Sequence, residues 1–472
     1  MTQSRRGRWT LIARGVLVLA AALLLPLAAM LQAPRESAAQ AVAQDSLWAV
    51  GSTGIGVCAD PSSAAALSGC FASATSTWSV SAPVATDGVN VYFTSQPAGG
   101  LSCPISDLGA NCTRIMAGPW GEGKFNSVLS LAAADGHIWI GQGNGEIYRC
   151  PANLPYADQD TAPSQCVLLD DAGGRWVQSL LLANGKLYAG LTCDGGTGCS
   201  SQEQKKQGLL WTCSPDTVNA CSTLDSYGYT YATSLAAGGG YLWVGLNNDI
   251  IWKCDLNATN ACATLDKAGA PVNSISYDGQ GTLYAAIAEV SASKPGMIWS
   301  CPTAYTNGCS NVLSGVDGEQ VAAGAGSVFS STWSDGLHFG TSPFTAASAT
   351  TWKNSHLLYL PADGPVGVGG VSVNISAKSL SKQIEKRCAK PGRAARATVT
   401  VTGPNDFAKT MKVGVCALVK SGAMKHRVDL LDPGDYTVTV QAGKHSGTAN
   451  VTIVQDTTKR VKVTLARRAS GG

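Results

Sequence analysis

Three stretches of the sequence combine aromatic side chains with charged ones, a combination that can bind a ligand. They read GPWGEGKFNS from Gly118, DDAGGRWVQS from Asp170 and DSYGYTYATS from Asp225. Aromatic rings beside carboxylates and an arginine can stack on sugar rings or hold a peptide. The alternative is that the rings only pack against one another. The candidate ligand-binding residues are Trp120, Glu122, Phe125, Asp171, Arg175, Trp176, Tyr227, Tyr229 and Tyr231.

Residues for covalent or metal-assisted catalysis form no recognisable pattern. The five histidines share no H-E-x-x-H spacing, and the chain has neither a G-x-S-x-G segment nor a P-loop. An aspartate recurs in three L-D-x-x-G segments, as Asp170, Asp225 and Asp266. One aspartate per repeat indicates a turn residue that accepts backbone N–H bonds rather than a metal ligand. We therefore predict no catalytic residue, no metal site and no cofactor.

The 16 cysteines occur as close pairs along the chain, and none belongs to a C-x-x-C motif. An even number of cysteines in a chain with an export segment predicts disulfides formed in an oxidising compartment. The spacing within pairs repeats, which favours local pairing. The predicted bridges are Cys58–Cys70, Cys103–Cys112, Cys150–Cys166, Cys193–Cys199, Cys213–Cys221, Cys254–Cys262, Cys301–Cys309 and Cys388–Cys416.

Seven copies of a strand motif, x-L-Y-x-G or x-L-W-x-G with variations, provide the elements that must position these residues. A second hydrophobic strand follows in four units, an L-D-x-x-G segment in three and a V-x-S-L segment in four. Four short strands per unit, with a period in the forties, indicate propeller blades. The chain resembles secreted seven-bladed β-propellers over residues 44–361. The motif starts at Ser46, Asn90, His137, Lys186, Tyr241, Thr282 and Ser327.

The two ends of the repeat array complement each other. The first unit lacks a V-x-S-L strand, whereas a surplus apolar segment, SHLLYL from Ser355, follows the seventh unit. We predict that this segment supplies the innermost strand of the first blade and closes the ring without an open sheet edge. The aromatic stretches then lie on one face, around the central opening. The innermost positions that the repeats define carry no histidine.

The last hundred residues have a different composition. A Gly/Pro linker is predicted at 362–370, and residues 371–472 contain alternating Val/Thr segments that predict a small antiparallel β-sandwich. LDPGDYTVTV from Leu431, with a final VKVTL, resembles the carboxypeptidase-regulatory or PEGA-type Ig-like β modules. That resemblance implies adhesion, spacing or wall contact rather than catalysis. Cys388 and Cys416 are expected to join two of its strands.

Charge is distributed unevenly along the chain. Residues 44–364 have a net charge of −13, whereas residues 365–472 have a net charge of +12. Oppositely charged segments indicate modules that have different partners or that attract each other. We expect the basic module to contact an anionic envelope polymer, a membrane surface or the acidic propeller. The absence of interleaved aromatic and basic residues argues against nucleic acid.

The N-terminal residues 1–43 are predicted to be a signal peptide or an N-terminal anchor. Four arginines precede an apolar stretch from Val16 to Leu31, and sites with small residues follow at Ala41 and Ala43. The chain is therefore expected to be secreted or associated with the cell envelope.

Three functions fit the sequence. The first is an exported, non-catalytic binding protein whose propeller binds a carbohydrate or a peptide. The second is a propeller-based secreted enzyme, a lyase or a hydrolase. The third is a structural subunit of the cell surface. Fold alone does not choose among them.

Overall fold

The structure is a computed structural model. Among the residues that it describes, no helix is long and apolar enough to cross a membrane. The predicted signal segment and both of its predicted cleavage sites lie outside these residues. The described residues are 46–51, 54–59, 61, 83–95, 99–107, 112–115, 128–152, 166–192, 209–226, 232–256, 262–291, 295–324, 327–332, 336–341, 356–360, 369–377, 384, 386, 388–389, 395–404, 407–416, 423–454 and 458–467.

Seven small antiparallel sheets form the blades of a β-propeller, as the repeats predicted. Each blade has three or four described strands. Blade by blade, the strands are β1 (Ser46–Gly51) and β2 (Gly54–Ala59); β3 (Val84–Thr86), β4 (Asn90–Ser95), β5 (Gly99–Pro104) and β6 (Thr113–Arg114); β7 (Val128–Ala134), β8 (His137–Gln142), β9 (Glu146–Pro151) and β10 (Val167–Asp171); β11 (Trp176–Ala183), β12 (Lys186–Thr192), β13 (Leu209–Cys213) and β14 (Ser222–Ser226); β15 (Ala232–Gly238), β16 (Tyr241–Leu246), β17 (Ile250–Cys254) and β18 (Cys262–Lys267); β19 (Val272–Tyr277), β20 (Thr282–Ile287), β21 (Met297–Pro302) and β22 (Ser310–Ser314); β23 (Gly318–Gly324), β24 (Ser327–Thr332) and β25 (Gly336–Thr341).

A strand from beyond the seventh unit completes the first blade. Strand β26 (His356–Leu360) pairs antiparallel with β1, with Ala49 opposite Leu357, and gives the sheet order β2-β1-β26. The predicted ring closure is therefore confirmed. Leu357 and Tyr359 pack against Phe329 of β24, so the same strand also joins the seventh blade to the first.

Tight turns with positive φ connect the first two strands of several blades. Asp135 and Gly136 (φ 47° and 71°) join β7 to β8, and Asn184 and Gly185 (φ 50° and 68°) join β11 to β12. Two consecutive residues with positive φ form a turn whose twist matches that of the flanking strands, and Asn or Asp followed by Gly adopts this conformation most readily.

The glycine of the x-L-Y-x-G motif lets neighbouring blades approach each other closely. A Cβ atom on Gly190 would lie 2.5 Å from the Cβ atom of Ala232 in the next blade, and one on Gly141 would lie 2.5 Å from a methyl carbon of Val177. Neither glycine has a positive φ. Glycine is therefore required here because there is no room for a Cβ atom, and not because of the backbone conformation.

The aspartate of the L-D-x-x-G motif connects successive blades at their outer edges. One carboxylate oxygen of Asp170 accepts from its neighbour Asp171 N–H at 2.9 Å, and the other accepts from Cys221 N–H of the next blade at 3.0 Å. Asp225 bonds Cys262 N–H and Asp266 bonds Cys309 N–H in the same way, each at 3.0 Å. These contacts confirm that the aspartates accept backbone N–H bonds, and they assign them to the boundary between blades.

Disulfides join the third strand of a blade to the start of the fourth, or to the residue just before it. Two of the eight predicted bridges, Cys58–Cys70 and Cys193–Cys199, involve residues outside the described part of the chain. Six bridges are confirmed: Cys103–Cys112, Cys150–Cys166, Cys213–Cys221, Cys254–Cys262, Cys301–Cys309 and Cys388–Cys416.

The C-terminal module is all β but differs from the predicted antiparallel sandwich. Its seven strands form one curled sheet in the order β29-β28-β31-β32-β33-β27-β30, with β27 and β33 parallel. The two edge strands approach each other where His426 of β30 contacts Met411 of β29 at 3.4 Å. The strands are β27 (Gly369–Ala377), β28 (Arg396–Thr402), β29 (Ala408–Gly414), β30 (Ala423–Leu431), β31 (Gly434–Ala442), β32 (His445–Ile453) and β33 (Thr458–Arg467).

One core lies inside this curled sheet, because inward-facing side chains from all seven strands belong to a single hydrophobic cluster. The bridge Cys388–Cys416 does not join two strands as expected. Cys388 lies between β27 and β28, and Cys416 follows β29.

Candidate functional site

The central channel of the propeller is a cavity that a ligand could enter. The strands β3, β7, β11, β15, β19, β23 and β26 are the innermost strands of their blades and surround a cavity of about 630 Å³. We call the face where the chain enters these strands the upper face. The opposite face, where the turns lead from the innermost strand to the second, is the lower face.

Five of the innermost strands contain a β-bulge near their first residue, close to the upper face. The pairing register shifts at the second residue of β7, β15, β19 and β23 and at the third residue of β11, so that this residue has no register partner on the second strand. All five of these residues are half-buried and line the channel. They form a ring just inside the upper mouth, which we call the mouth ring: Leu129, Gln178, Thr233, Asn273 and Glu319.

In four of the five bulged strands a serine follows the bulge and bonds the next blade, whereas β23 has Gln320 at this position. Ser130 Oγ donates to Val177 O at 2.7 Å, and Ser179 Oγ donates to Ala232 O at 3.2 Å. Ser274 Oγ accepts from Val321 N–H at 3.3 Å. The V-x-S-L motif therefore combines a variable channel residue, at x, with a constant contact between blades.

The channel wall near the mouth is polar with little charge. Gln178, Thr233, Asn273 and the neighbouring Asn247 contribute amides and a hydroxyl, and Asn273 Nδ2 donates to Gly318 O at 2.9 Å. Glu319 is the one carboxylate among the described lining residues. Burial raises the pKa of Glu319, and the nearby Asp317 raises it further. Such a wall suits a neutral ligand rich in hydroxyl or amide groups.

A histidine does lie in the channel, contrary to the expectation from the repeats. His356 opens the closing strand β26 and lines the cavity. Burial lowers the pKa of His356 to about 4, so its imidazole is neutral near pH 7. Within the described residues no hydrogen bond or ion pair joins His356 to Glu319. The described residues also contain no cluster of three or more His, Cys, Asp or Glu that could hold a metal ion.

Three of the nine candidate ligand-binding residues are described, in the connection from the outermost strand β10 of one blade into the innermost strand β11 of the next, and none of the three lines the channel. Asp171 is exposed, and its Oδ1 accepts from Gly173 N–H at 2.8 Å. Arg175 donates to Ala172 O at 3.5 Å, and the half-buried Trp176 begins β11. The remaining candidates lie outside the described residues: Trp120, Glu122, Phe125, Tyr227, Tyr229 and Tyr231.

The mouth-ring residues were missed because they occupy the variable position of V-x-S-L. Leucine, Gln, Thr and Asn at this position give no hydrophobic or charged pattern along the sequence. The bulge could have indicated these residues from the sequence. A residue that interrupts strand alternation at the same place in five repeats points to one shared structural position.

The C-terminal module contacts the lower face, away from the mouth ring. On the propeller it contacts the turn after β11, the turn after β15 and the last residue of β19. Asn184 Nδ2 donates to Asp429 at 2.5 Å, Gly240 N–H donates to Leu430 O at 2.5 Å, and Tyr277 Oη donates to Asp432 at 2.7 Å. The module therefore spans three neighbouring blades and leaves the upper face uncovered by these contacts.

Charge at this interface follows the net charges of the two modules only in part. Lys409 is a basic residue of the module that pairs with a propeller carboxylate, Asp255, at 3.0 Å, and it also donates to Gly240 O at 2.7 Å. The basic module otherwise contributes two acids, Asp429 and Asp432, to hydrogen bonds with neutral propeller groups. Of the described contacts, the Lys409–Asp255 ion pair follows the opposite net charges of the two modules, whereas the hydrogen bonds of Asp429 and Asp432 do not.

Asp432 places a buried carboxyl group at the interface between the module and the propeller. Its side chain is buried and accepts from Tyr277 Oη at 2.7 Å and from Gly239 N–H at 3.1 Å. Burial raises the pKa of Asp432 to about 6, although the hydrogen bonds from Gly239 and Tyr277 oppose the rise. Burial also raises the pKa of Tyr277 far above its usual range, so Tyr277 remains a donor at any ordinary pH.

Comparison with known proteins adds no family. No protein-family model matches the chain, and no curated protein matches it. Similar solved structures include the computationally designed Ika8 protein, with 13% identity over 68% of this chain and 91% of that chain and a TM-score of 0.42. A chain of a nidogen/laminin complex has 10% identity over 67% and 98%, with a TM-score of 0.36. The Pan2 WD40 domain of Neurospora crassa has 9% identity over 59% and 79%, also with a TM-score of 0.36.

These likenesses, with TM-scores below 0.5, carry no weight for fold or function. The strand pairing alone defines the class, a seven-bladed β-propeller with disulfide-bonded blades, joined to a β module.

Proposed function

We propose that this protein is an exported, non-catalytic binding protein. Its propeller binds a carbohydrate or a peptide at the upper mouth of the channel, and its basic module contacts an anionic component of the cell envelope. The mouth ring is the observation that carries the proposal. Five bulged residues of different chemistry face one opening, on rigid strands held by the serine contacts between blades.

The chemistry of the mouth ring favours a neutral or weakly cationic ligand. Amides and hydroxyls bond both sugar hydroxyls and peptide groups, and Glu319 adds one acceptor. Asp171, Arg175 and Trp176 belong to the connection from β10 into β11 and would extend the proposed site outward. Six described disulfides and the N-terminal basic and apolar segment support export.

The envelope contact is supported by charge that the interface leaves unused. The module has 18 Lys and Arg but six Asp and Glu, and Asp429 and Asp432 are bonded to the propeller. Its outward surface is therefore more basic than its composition alone implies.

Binding of the full chain to arrays of polysaccharides and peptides tests the ligand site. Asn247 lines the channel, whereas its neighbour Asn248 is exposed. We expect Asn247→Ala and Gln178→Ala to weaken binding about tenfold or more, which corresponds to about one to two lost hydrogen bonds. Asn248→Ala should bind like the unaltered chain, and all three should keep its melting temperature. Equal loss in Asn248→Ala, or no binding to any array member, would contradict the proposal.

A further inference from the structure

One outward surface of the C-terminal module carries two rows of cations on either side of a neutral strand. The central strand is β27, which pairs with β30 on one side and with β33 on the other. The register places Lys425 and Lys462 opposite Asn374, and it places Arg427 and Arg460 opposite Ser372. Paired residues point to the same side of a sheet, so these six side chains share one face.

Burial confirms the orientation of these side chains. Val371, Val373 and Ile375 of β27 are fully buried, and Ser372 and Asn374 alternate with them. On the flanking strands, Lys425, Arg427, Arg460 and Lys462 are exposed. The surface is therefore a trough with a polar floor (Ser372 and Asn374) and cationic sides (Lys425, Arg427, Arg460 and Lys462). We call it the basic trough.

The dimensions of the sheet set the spacing of these charges. Adjacent strands are about 4.8 Å apart, and alternate residues of one strand are about 6.7 Å apart. The two cationic rows are thus about 10 Å apart across β27, and the cations within each row are about 7 Å apart. Long side chains on both rows can reach over the floor to one chain that lies along β27.

Three of the trough's four cations are available to a partner. Arg427 is held by Asp429 and donates to Thr458 Oγ1 at 3.2 Å, which fixes its guanidinium at one end. No ion pair involves Lys425, Arg460 or Lys462 within the described part of the chain. Thr458 in turn contacts Asn184 of the propeller at 3.4 Å, so the trough runs outward from the module interface.

We propose that the basic trough binds a linear phosphate polymer that lies along β27. This proposal deepens the envelope contact under the proposed function and rests on it. Two facing rows of cations suit an extended chain that is bonded from both sides, and Ser372 and Asn374 supply hydroxyl and amide donors below it.

The same surface suits a bilayer or a single-stranded nucleic acid less well. Its outward residues include no large apolar side chain that could insert into a membrane, and no aromatic ring that could stack on a base.

The test measures binding of the full chain to inorganic polyphosphate at several salt concentrations. Three phosphate contacts, from the three cations without an ion pair, give a slope of log affinity against log salt of about −2, from about −0.7 per contact on a single-stranded polyanion. Lys425→Gln/Arg460→Gln/Lys462→Gln should weaken binding at least tenfold and reduce the steepness of the slope by about 2. Arg427 is left in place because Asp429 holds it at the interface.

The matched control changes three other exposed cations of the module, Arg396→Gln/Lys412→Gln/Lys444→Gln. This variant has the same net charge and should keep both affinity and slope. Equal losses in the two triple variants would overturn the trough while leaving an envelope contact through general charge. Failure of the unaltered chain to bind either polyphosphate or phosphatidylglycerol vesicles would overturn the envelope contact itself. Binding to the vesicles but not to polyphosphate would replace the polymer by a membrane surface and overturn the trough proposal.

Discussion

The Oδ2 atom of Asp266 accepts a hydrogen bond from the backbone N–H of Cys309 at 3.0 Å, although the two residues belong to neighbouring blades. The turn that the Cys301–Cys309 bridge closes also donates from Asn307 N–H to Leu265 O at 2.8 Å. Each disulfide turn of this kind is therefore docked onto the outer strand of the preceding blade. The bridge shapes the turn, and the aspartate attaches it.

Replacing this aspartate should destabilise the ring. Asp266→Ala leaves Cys309 N–H without its charged acceptor, which we expect to lower the free energy of unfolding by about 1–2 kcal/mol. Thr264→Ala, an exposed change on the same strand, should cost less than about 0.5 kcal/mol. Urea unfolding of both variants gives the comparison, and equal costs would show that Asp266 does not join the blades.

Gly190→Ala tests the close approach between blades. The added methyl group would lie 2.5 Å from both Ala232 Cβ and Ser179 Oγ, so one of the two strands must shift. We expect a loss of about 1–3 kcal/mol in unfolding free energy. Gly414→Ala is the control, because nothing lies within 4 Å of the position of its added methyl group. A Gly190→Ala chain as stable as the Gly414→Ala chain would contradict this reading of the x-L-Y-x-G motif.

The module interface should respond to pH through Asp432. Its pKa is about 6 in the folded protein and about 3.9 in an unfolded chain. The protonated form is therefore favoured by folding, and this contribution is fully present below about pH 4 and is lost as the pH rises through about 6. Two pKa units correspond to about 3 kcal/mol. Tyr277, Asp278 and Tyr436 face the group, and burial raises the pKa of each.

Comparison with Asp432→Asn isolates this effect, because the variant has no carboxyl group at this position. Between pH 4 and pH 8 the unaltered chain should lose about 2–3 kcal/mol of stability relative to the variant, whatever their difference at one pH. Unfolding midpoints at four pH values give the two curves. Parallel curves would show that Asp432 does not titrate differently in the folded chain.

The propeller could be predicted because each of its motifs has a local physical cause. Gly141 and Gly190 are required by close approach, Asp266 by an unpaired N–H in the next blade, and the cysteines by the turn they close. Since every blade meets its neighbour in the same way, the causes recur and the sequence shows a period.

The module was less predictable because its features occur once. Strand β30 lacks the Val/Thr alternation that marks most of the other strands, because Lys425, His426 and Arg427 occupy its first half. That strand provides Asp429 and Leu430, which dock on the propeller, and two cations of the basic trough. Parallel pairing of β27 with β33 joins residues about 90 positions apart, and no local pattern encodes it.

Closure of the ring by β26 is the claim on which the channel and its ligand site depend, and an engineered disulfide tests it directly. Ala49 and Leu357 face each other across β1 and β26, so Ala49→Cys/Leu357→Cys should form a bridge. A protease site inserted between Lys205 and Lys206 then divides the chain. The account predicts that the two fragments stay joined on a non-reducing denaturing gel, and that they separate in Ala49→Cys/Leu358→Cys, whose register is shifted by one residue. Separate fragments in both variants would contradict a closed ring.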